Sequence, residues 1–243
     1  MKKILFLSAV MIISATLSLV SAQEKTTKST KPTIDLTGRS SDHLMLQIGV
    51  TQWSGVPDTI NTGGFSKSLN GYFMMDYPSK SNAKFSTAIG IGLGSDRIGF
   101  QKTHVRIAEL TNKFAFTNVR DTNHFKKTTL VTTYVEAPIE FRYSKHPDTG
   151  KGFKFAAGVK VGMMLNAHTR NAKWENRSGN LLNNYVAKES SKHYLNTTRV
   201  VGTMRVGIGH FSLFGNYQFA SVIKDGYGPQ VKPFTVGITL SGL

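Results

Sequence analysis

Along much of the chain, apolar and polar residues alternate one by one. Residues 153–165, FKFAAGVKVGMML, set Phe153, Phe155, Ala157, Val159, Val161, Met163 and Leu165 on one side. Lys154, Ala156, Gly158, Lys160, Gly162 and Met164 occupy the other. A period of two is that of a strand, whose successive side chains point to opposite faces. Wound as a helix, the same stretch scatters its lysines to different sides and carries two glycines, each costing about 1 kcal/mol relative to alanine.

The pattern recurs. Residues 42–53 align Leu44, Leu46, Ile48 and Val50; residues 67–77 set Leu69, Phe73, Met75 and Tyr77 opposite Asn70, Tyr72, Met74 and Asp76. Residues 84–94 oppose Phe85, Ile89, Ile91 and Leu93 to a row of Ser, Ala and Gly, and residues 129–143 oppose Val135, Ile139 and Phe141 to Glu136, Glu140 and Arg142. Further strands are predicted at about 196–209, where Arg199 and Arg205 share the polar face, then at 211–220 and 233–243. The connectors alternate in length. Those after the second, fourth and sixth strands are short, and the longest lie at about 95–128 and 168–195.

Eight alternating strands, with every long connector at one end, predict an all-β fold: an eight-stranded antiparallel up-and-down transmembrane β-barrel over residues 42–243. Closure removes the unpaired edge that a bilayer does not tolerate. The apolar rows then face lipid and the polar rows face the lumen. A barrel this narrow is just filled by its side chains, so a plugged interior is expected, holding Asp76, Glu136, Glu140, Arg142, Lys154, Lys160, Arg199 and Arg205. Carboxylates on the fourth strand are expected to pair with lysines on the fifth, its neighbour. Trp53, Tyr72, Tyr77, Tyr143 and Tyr217 lie in or beside strands, and the lipid-facing ones suit an interfacial belt.

Ahead of the strands, residues 1–22 read as an export signal: Lys2 and Lys3, an apolar run, and Val20-Ser21-Ala22 as a small-residue cleavage site. An uncleaved anchor is the alternative. Residues 23–41 are rich in Thr, Ser and Lys without periodicity and read as a flexible periplasmic lead-in. Zero cysteines among 243 residues exclude a disulfide scaffold and thiol chemistry. The formal net charge of +16 favours anionic partners without choosing among them.

The segment YVEAPIEFRYSK (134–145), the Gly-rich FAAGVKVGMML (155–165) and GIGHFSLFGNYQFA (207–220) together resemble small outer-membrane β-barrels of Bacteroidota, the PorT-like group. The resemblance spans roughly residues 42–243. It implies an outer-membrane location and a role as an envelope component, in some relatives within a secretion apparatus. The chain departs from the usual barrel end signal, ending on Leu243 rather than an aromatic residue, while Phe234, Val236, Ile238 and Leu240 keep the alternation.

Catalytic signals are sparse. The seven histidines stand singly, without the spacing of a metal pair, so neither a metal nor a cofactor is expected. Gly90, Gly92 and Gly94 lack the spacing of a dinucleotide fingerprint. His210-Phe211-Ser212 looks like part of the His-x-Ser motif of outer-membrane lipid A deacylases, but Leu213 follows where that motif has Asn, and His210 sits at a short periplasmic turn. The long loops carry Arg97, Lys102, Arg106, Lys113, Arg120, Lys126 and Lys127 in one, and Arg170, Lys173 and Arg177 in the other. Interleaved Phe100, Phe114, Phe116, Phe125 and Trp174 suit a docking surface for lipopolysaccharide, surface polysaccharide or a protein partner; a merely solvated basic surface is the alternative. The leading expectation is a non-enzymatic structural or interaction component of the envelope, surrounded by outer-membrane lipid and lipopolysaccharide. A narrow channel, a lipid-modifying enzyme and an exported nucleic-acid binder are the alternatives; alternating spans argue against the last.

Overall fold

The computed structural model describes residues 43–63 and 66–242. The predicted export signal and lead-in lie outside these residues. The described chain forms strands β1 (Leu44–Ser54), β2 (Lys67–Pro78), β3 (Phe85–Phe100), β4 (Thr103–Arg106), β5 (Ala115–Asn118), β6 (His124–Ser144), β7 (Phe153–Glu175), β8 (Leu181–Ser190), β9 (Thr198–Ile208), β10 (Phe211–Gln218) and β11 (Lys232–Ser241). Eight of them close a ring in the order β1-β2-β3-β6-β7-β9-β10-β11, every pairing antiparallel. The last pairing joins β11 back to β1, with Ile48 opposite Ile238 and Thr51 opposite Thr235. No ring strand is left with an unpaired edge, so the wall presents no open ladder to lipid.

Within the wall, burial alternates along the ring strands, but in the opposite sense to a water-soluble protein. Ile48, Leu69 and Ile91 are 59%, 59% and 61% exposed, while Gln47 and Glu136 are each 1% exposed. An apolar outer wall around a polar interior places the wall against hydrocarbon. The shorter ring strands, such as β1 with 11 residues and β11 with 10, match the reach needed to cross a bilayer at a tilt.

Three ring strands run farther than their alternation predicts. β3 has 16 residues, β6 has 21 and β7 has 23, and all three extend towards the long loops. Beyond the bilayer both faces are polar or packed, so the apolar row that reveals a strand disappears. A bulge marks the change: Thr133 lies opposite Asn166 and Tyr134 opposite Met164, leaving Leu165 as the extra residue. Arg97, Lys126, Lys127, Arg170 and Lys173 therefore stand on strands, a correction to their expected place in loops. β8 folds back on β7, and β4 pairs with β5 in the loop after β3.

The loops fold inward over the end of the barrel. Ile60, Val105, Ile107, Phe114, Tyr194, Leu195, Val222 and Ile223 pack with inward residues of the wall, including Trp53, Ile98, Leu130 and Tyr134. Tyr194 is the hub. Its hydroxyl accepts from the Thr111 amide at 2.7 Å and donates to the Glu109 carbonyl, and its ring stacks on Phe114 at 5.3 Å. Phe100 and Phe114 thus belong to an apolar plug and not to a docking surface, a second correction. Trp53 joins the same plug. Tyr77 and Tyr217 remain outward and half exposed, where an interfacial belt requires them.

Candidate functional site

Every charged residue expected in the lumen is found there, and the ladder explains why. Strand alternation sends Glu136, Glu140 and Arg142 of β6 inward, together with Lys160 of β7 and Arg199 and Arg205 of β9, all of them buried. They form two layers.

In the layer nearer the loops, Arg199 Nε donates to Glu136 Oε1 at 2.7 Å and Arg199 Nη1 to Asp96 Oδ2 at 2.5 Å. The guanidinium lies over the Tyr134 ring at 3.7 Å, adding a cation–π contact. Tyr72 donates its hydroxyl proton to the other oxygen of Glu136 and accepts from Lys160 Nζ at 3.0 Å. Lys160 also stands 3.8 Å from Glu136. Two cations thus face two carboxylates, and the layer is electrically neutral.

The second layer lies nearer the short turns and sets Arg142 and Arg205 against Glu140 and Asp76, with Lys154 at its edge. Glu140 Oε2 accepts from Arg142 Nε at 3.0 Å and from Arg205 Nη2 at 2.9 Å. Arg142 also approaches Asp76 at 3.7 Å, and Ser86 donates to Asp76 at 2.8 Å. Lys154 is half-buried beside this layer, lining a small cavity with Asp76, Arg142, Arg205 and Ser212.

The pairing differs from the expected fourth-to-fifth-strand ladder. Lys160 does approach Glu136 across that ladder, but the shorter partner is Arg199, one strand farther on. Glu140 lies opposite Gly158 in register and is held by Arg142 of its own strand and by Arg205 of β9. Inward side chains converge in a narrow barrel, so long guanidinium arms reach past the neighbouring strand. Asp96 was not among the expected lumen residues. Its signal was available: continuing the inward row of Ala88, Gly90, Gly92 and Gly94 by one more alternation reaches it.

Glycine makes the space. A Cβ on Gly94 would stand 2.8 Å from Arg199 Nη2 and 2.8 Å from Glu136 Oε2, and one on Gly162 would stand 3.1 Å from Arg199 Cγ. The Gly-rich stretches are volume left for the ion network.

The remaining candidates are dispersed. His210 is exposed at the turn after β9, where its Nδ1 donates to the Ser241 carbonyl at 2.9 Å, whereas Ser212 is buried in the lumen. Among the described residues no group of three or more His, Asp or Glu side chains is arranged to hold a metal. The basic outer residues divide. Arg106 pairs with Glu109 at 3.1 Å and Arg177 with Asp121 at 3.4 Å, both exposed and of little energetic weight. Lys102, Arg97, Lys126 and Lys127 gather around one groove, while Lys113 and Arg120 flank β5.

Residues 22–223 match the model of a family described as outer membrane protein beta-barrel domain. No curated protein matches the chain. The match covers most of the chain and takes in seven of the eight ring strands, with β11 completing the closure. By this match and by its closed, inverted barrel, the chain belongs to the outer membrane protein β-barrel domain family.

Proposed function

We propose that the protein is a non-enzymatic, plugged outer-membrane barrel that serves the envelope as a structural or interaction component. The observation that carries this reading is the pair of ion-paired layers filling the lumen. The cavities along them measure about 30, 20 and 10 Å³, the scale of single waters and not of a solute. The apolar plug beneath the loops closes the barrel a second time.

Barrels of this kind keep short turns in the periplasm and long loops outside, which puts β4, β5 and β8 at the cell surface. A protein partner is supported there by β8. Among the described residues it pairs with β7 alone, and it exposes Leu181, Leu182, Tyr185 and Val186. An open strand edge of this composition suits addition of a partner's strand. The likeness of residues 134–145 and 207–220 to the PorT-like group of Bacteroidota favours a partner in protein secretion.

The test is made on full-length protein from the outer-membrane fraction. Altered gel mobility on boiling, with no steady conductance in planar bilayers, is the expected result. Discrete conductance steps would replace this reading with a narrow channel. A change in lipid A mass that Ser212→Ala abolishes would replace it with a lipid-modifying enzyme.

A further inference from the structure

Lys127 of β6, Arg170 of β7 and Lys188 of β8 share the outward face of the wall above the bilayer. The register sets Arg170 opposite Lys188 on one side and opposite Thr129, the outward neighbour of Lys127, on the other. We infer that this face binds an anionic sugar of the lipopolysaccharide core. The inference rests on the barrel reading and its orientation, and it names the part of the outer leaflet that the upper wall meets.

Height selects the sugar layer. The outward row of β7 runs through Val161, Met163 and Leu165, all exposed to lipid, and after the bulge continues through His168 and Arg170 to Trp174. At roughly 3.3 Å per residue, Arg170 lies about 15 Å along the strand beyond Leu165. With the strand tilted by about 40°, it still stands about 11 Å above the last apolar residue of the wall. The headgroup zone adds only about 5–8 Å to each side of a bilayer's hydrocarbon. The three cations therefore rise past the lipid A phosphates and stand among the sugars attached to them.

Charge and shape select the ligand. Among the described residues no carboxylate lies within ion-pair distance of Lys127, Arg170 or Lys188. The acidic residues of the same strands turn away. Glu175 is buried and holds Lys126 at 2.9 Å, and Glu189 stands opposite buried Thr169 on the inner face. Like charges directly opposite each other are unfavourable by themselves and favourable around a shared anion. Farther out on the same face, Phe125 lies opposite Trp174 in register, their rings 4.8 Å apart, and Tyr185 of β8 meets Phe125 at 5.4 Å. Flat rings edged by the Trp N–H and the Tyr O–H suit the C–H face and the hydroxyls of a sugar ring. A bare phosphate would engage the cations alone and an apolar peptide the rings alone. An anionic sugar engages both.

The full-length protein is folded in detergent micelles and its barrel verified by the boiling shift. It is then titrated, by native mass spectrometry, with core-bearing lipopolysaccharide and with the matching lipid A that lacks the core. Wild type is expected to bind the core-bearing form at least about tenfold more tightly. The triple variant Lys127→Gln/Arg170→Gln/Lys188→Gln is expected to lose that difference and Trp174→Leu to reduce it, whereas Arg106→Gln on the β4 hairpin retains it. Equal wild-type affinities for the two lipids, or an undiminished difference in a triple variant that keeps its shift, would overturn the inference and leave the barrel standing. A loss with Arg106→Gln as large as that of the triple variant would overturn the assignment to this face. If the triple variant does not fold, Lys188→Gln on the outermost strand and the two lipids on wild type still decide the matter. A wild-type protein without the boiling shift would instead refute the barrel reading.

Discussion

Arg199 of β9 and Glu136 of β6 are separated by β7 in the barrel wall, yet their side chains meet inside the lumen at 2.7 Å. The same guanidinium reaches Asp96 of β3. One residue thus ties three strands together across the interior, independently of the ladder that joins them along the wall.

Removing this tie leaves two carboxylates in a polar but enclosed space. Breaking a buried pair from one side typically costs about 3–5 kcal/mol, because the remaining charge is uncompensated. Arg199→Met is expected to lower stability by that order in urea titrations of protein folded in vesicles, followed by the boiling shift. Arg199→Lys keeps the charge but lacks the fork that serves Glu136 and Asp96 together, so its loss should be smaller. An Arg199→Met variant as stable as wild type would deny the network a stabilising role.

Gly94 tests the space around the same cluster. A methyl group there would press on Arg199, on Glu136 and, at 3.0 Å, on Asn70 Oδ1. Gly94→Ala is expected to cost about 1–3 kcal/mol, the range of overpacked interiors. Gly215→Ala is the control, since nothing stands within 4 Å of its Cβ position. Equal midpoints for the two variants in the urea assay would contradict this account.

The inverted wall makes a depth-dependent forecast. Ile91 lies outward near the middle of the spanning part of β3, and Ile208, 70% exposed, lies outward beside the turn after β9. A lysine facing lipid costs about 2–4 kcal/mol at the midplane and about 0–1 kcal/mol near an interface. Ile91→Lys should therefore impair folding into vesicles far more than Ile208→Lys. Equal penalties would place the wall elsewhere than in hydrocarbon.

His104 on β4 gives the outer hairpin a pH dependence. Its burial, reinforced by the Arg106 charge, lowers the imidazole from the usual 6.5. The unfolded segment then binds a proton more readily than the folded one, so stability is fully present above the ordinary histidine range and falls as pH drops through it. Once the intrinsic base-catalysed rate is divided out, hydrogen-exchange protection at β4 and β5 should fall as pH drops through the ordinary histidine range, and His104→Gln should flatten the change. Protection independent of pH in wild type would refute it.

The fold was largely legible because lipid on one side and packed polar side chains on the other impose strict alternation. Ile48, Leu69, Ile91 and Ile238 needed only their positions in a period of two to be placed outward. The same rule sent Glu136, Glu140, Lys160, Arg199 and Arg205 inward. It failed beyond the bilayer. There β3, β6 and β7 continue without an apolar row, so Asp96, Arg97 and Lys127 stand on strands where the pattern predicts a loop. It also could not distinguish an aromatic that anchors a plug, such as Phe114, from one offered to a partner, because both are large apolar residues between polar ones.

The sequence by itself determined the eight strands of the ring, their inward and outward faces within the wall, and the end that bears the long loops. Each follows from local alternation and from connector length, which neighbouring residues carry. Only the tertiary structure decided that Arg199 binds Glu136 and Asp96 together, that Glu140 is shared by Arg142 and Arg205, and that the loops fold into an apolar plug. Those choices depend on strand register and on how far a side chain reaches across a closed lumen. Gly94 and Gly162 illustrate the physical reason: their neighbours, Glu136 and Arg199, are distant in sequence and become adjacent only when the ring closes.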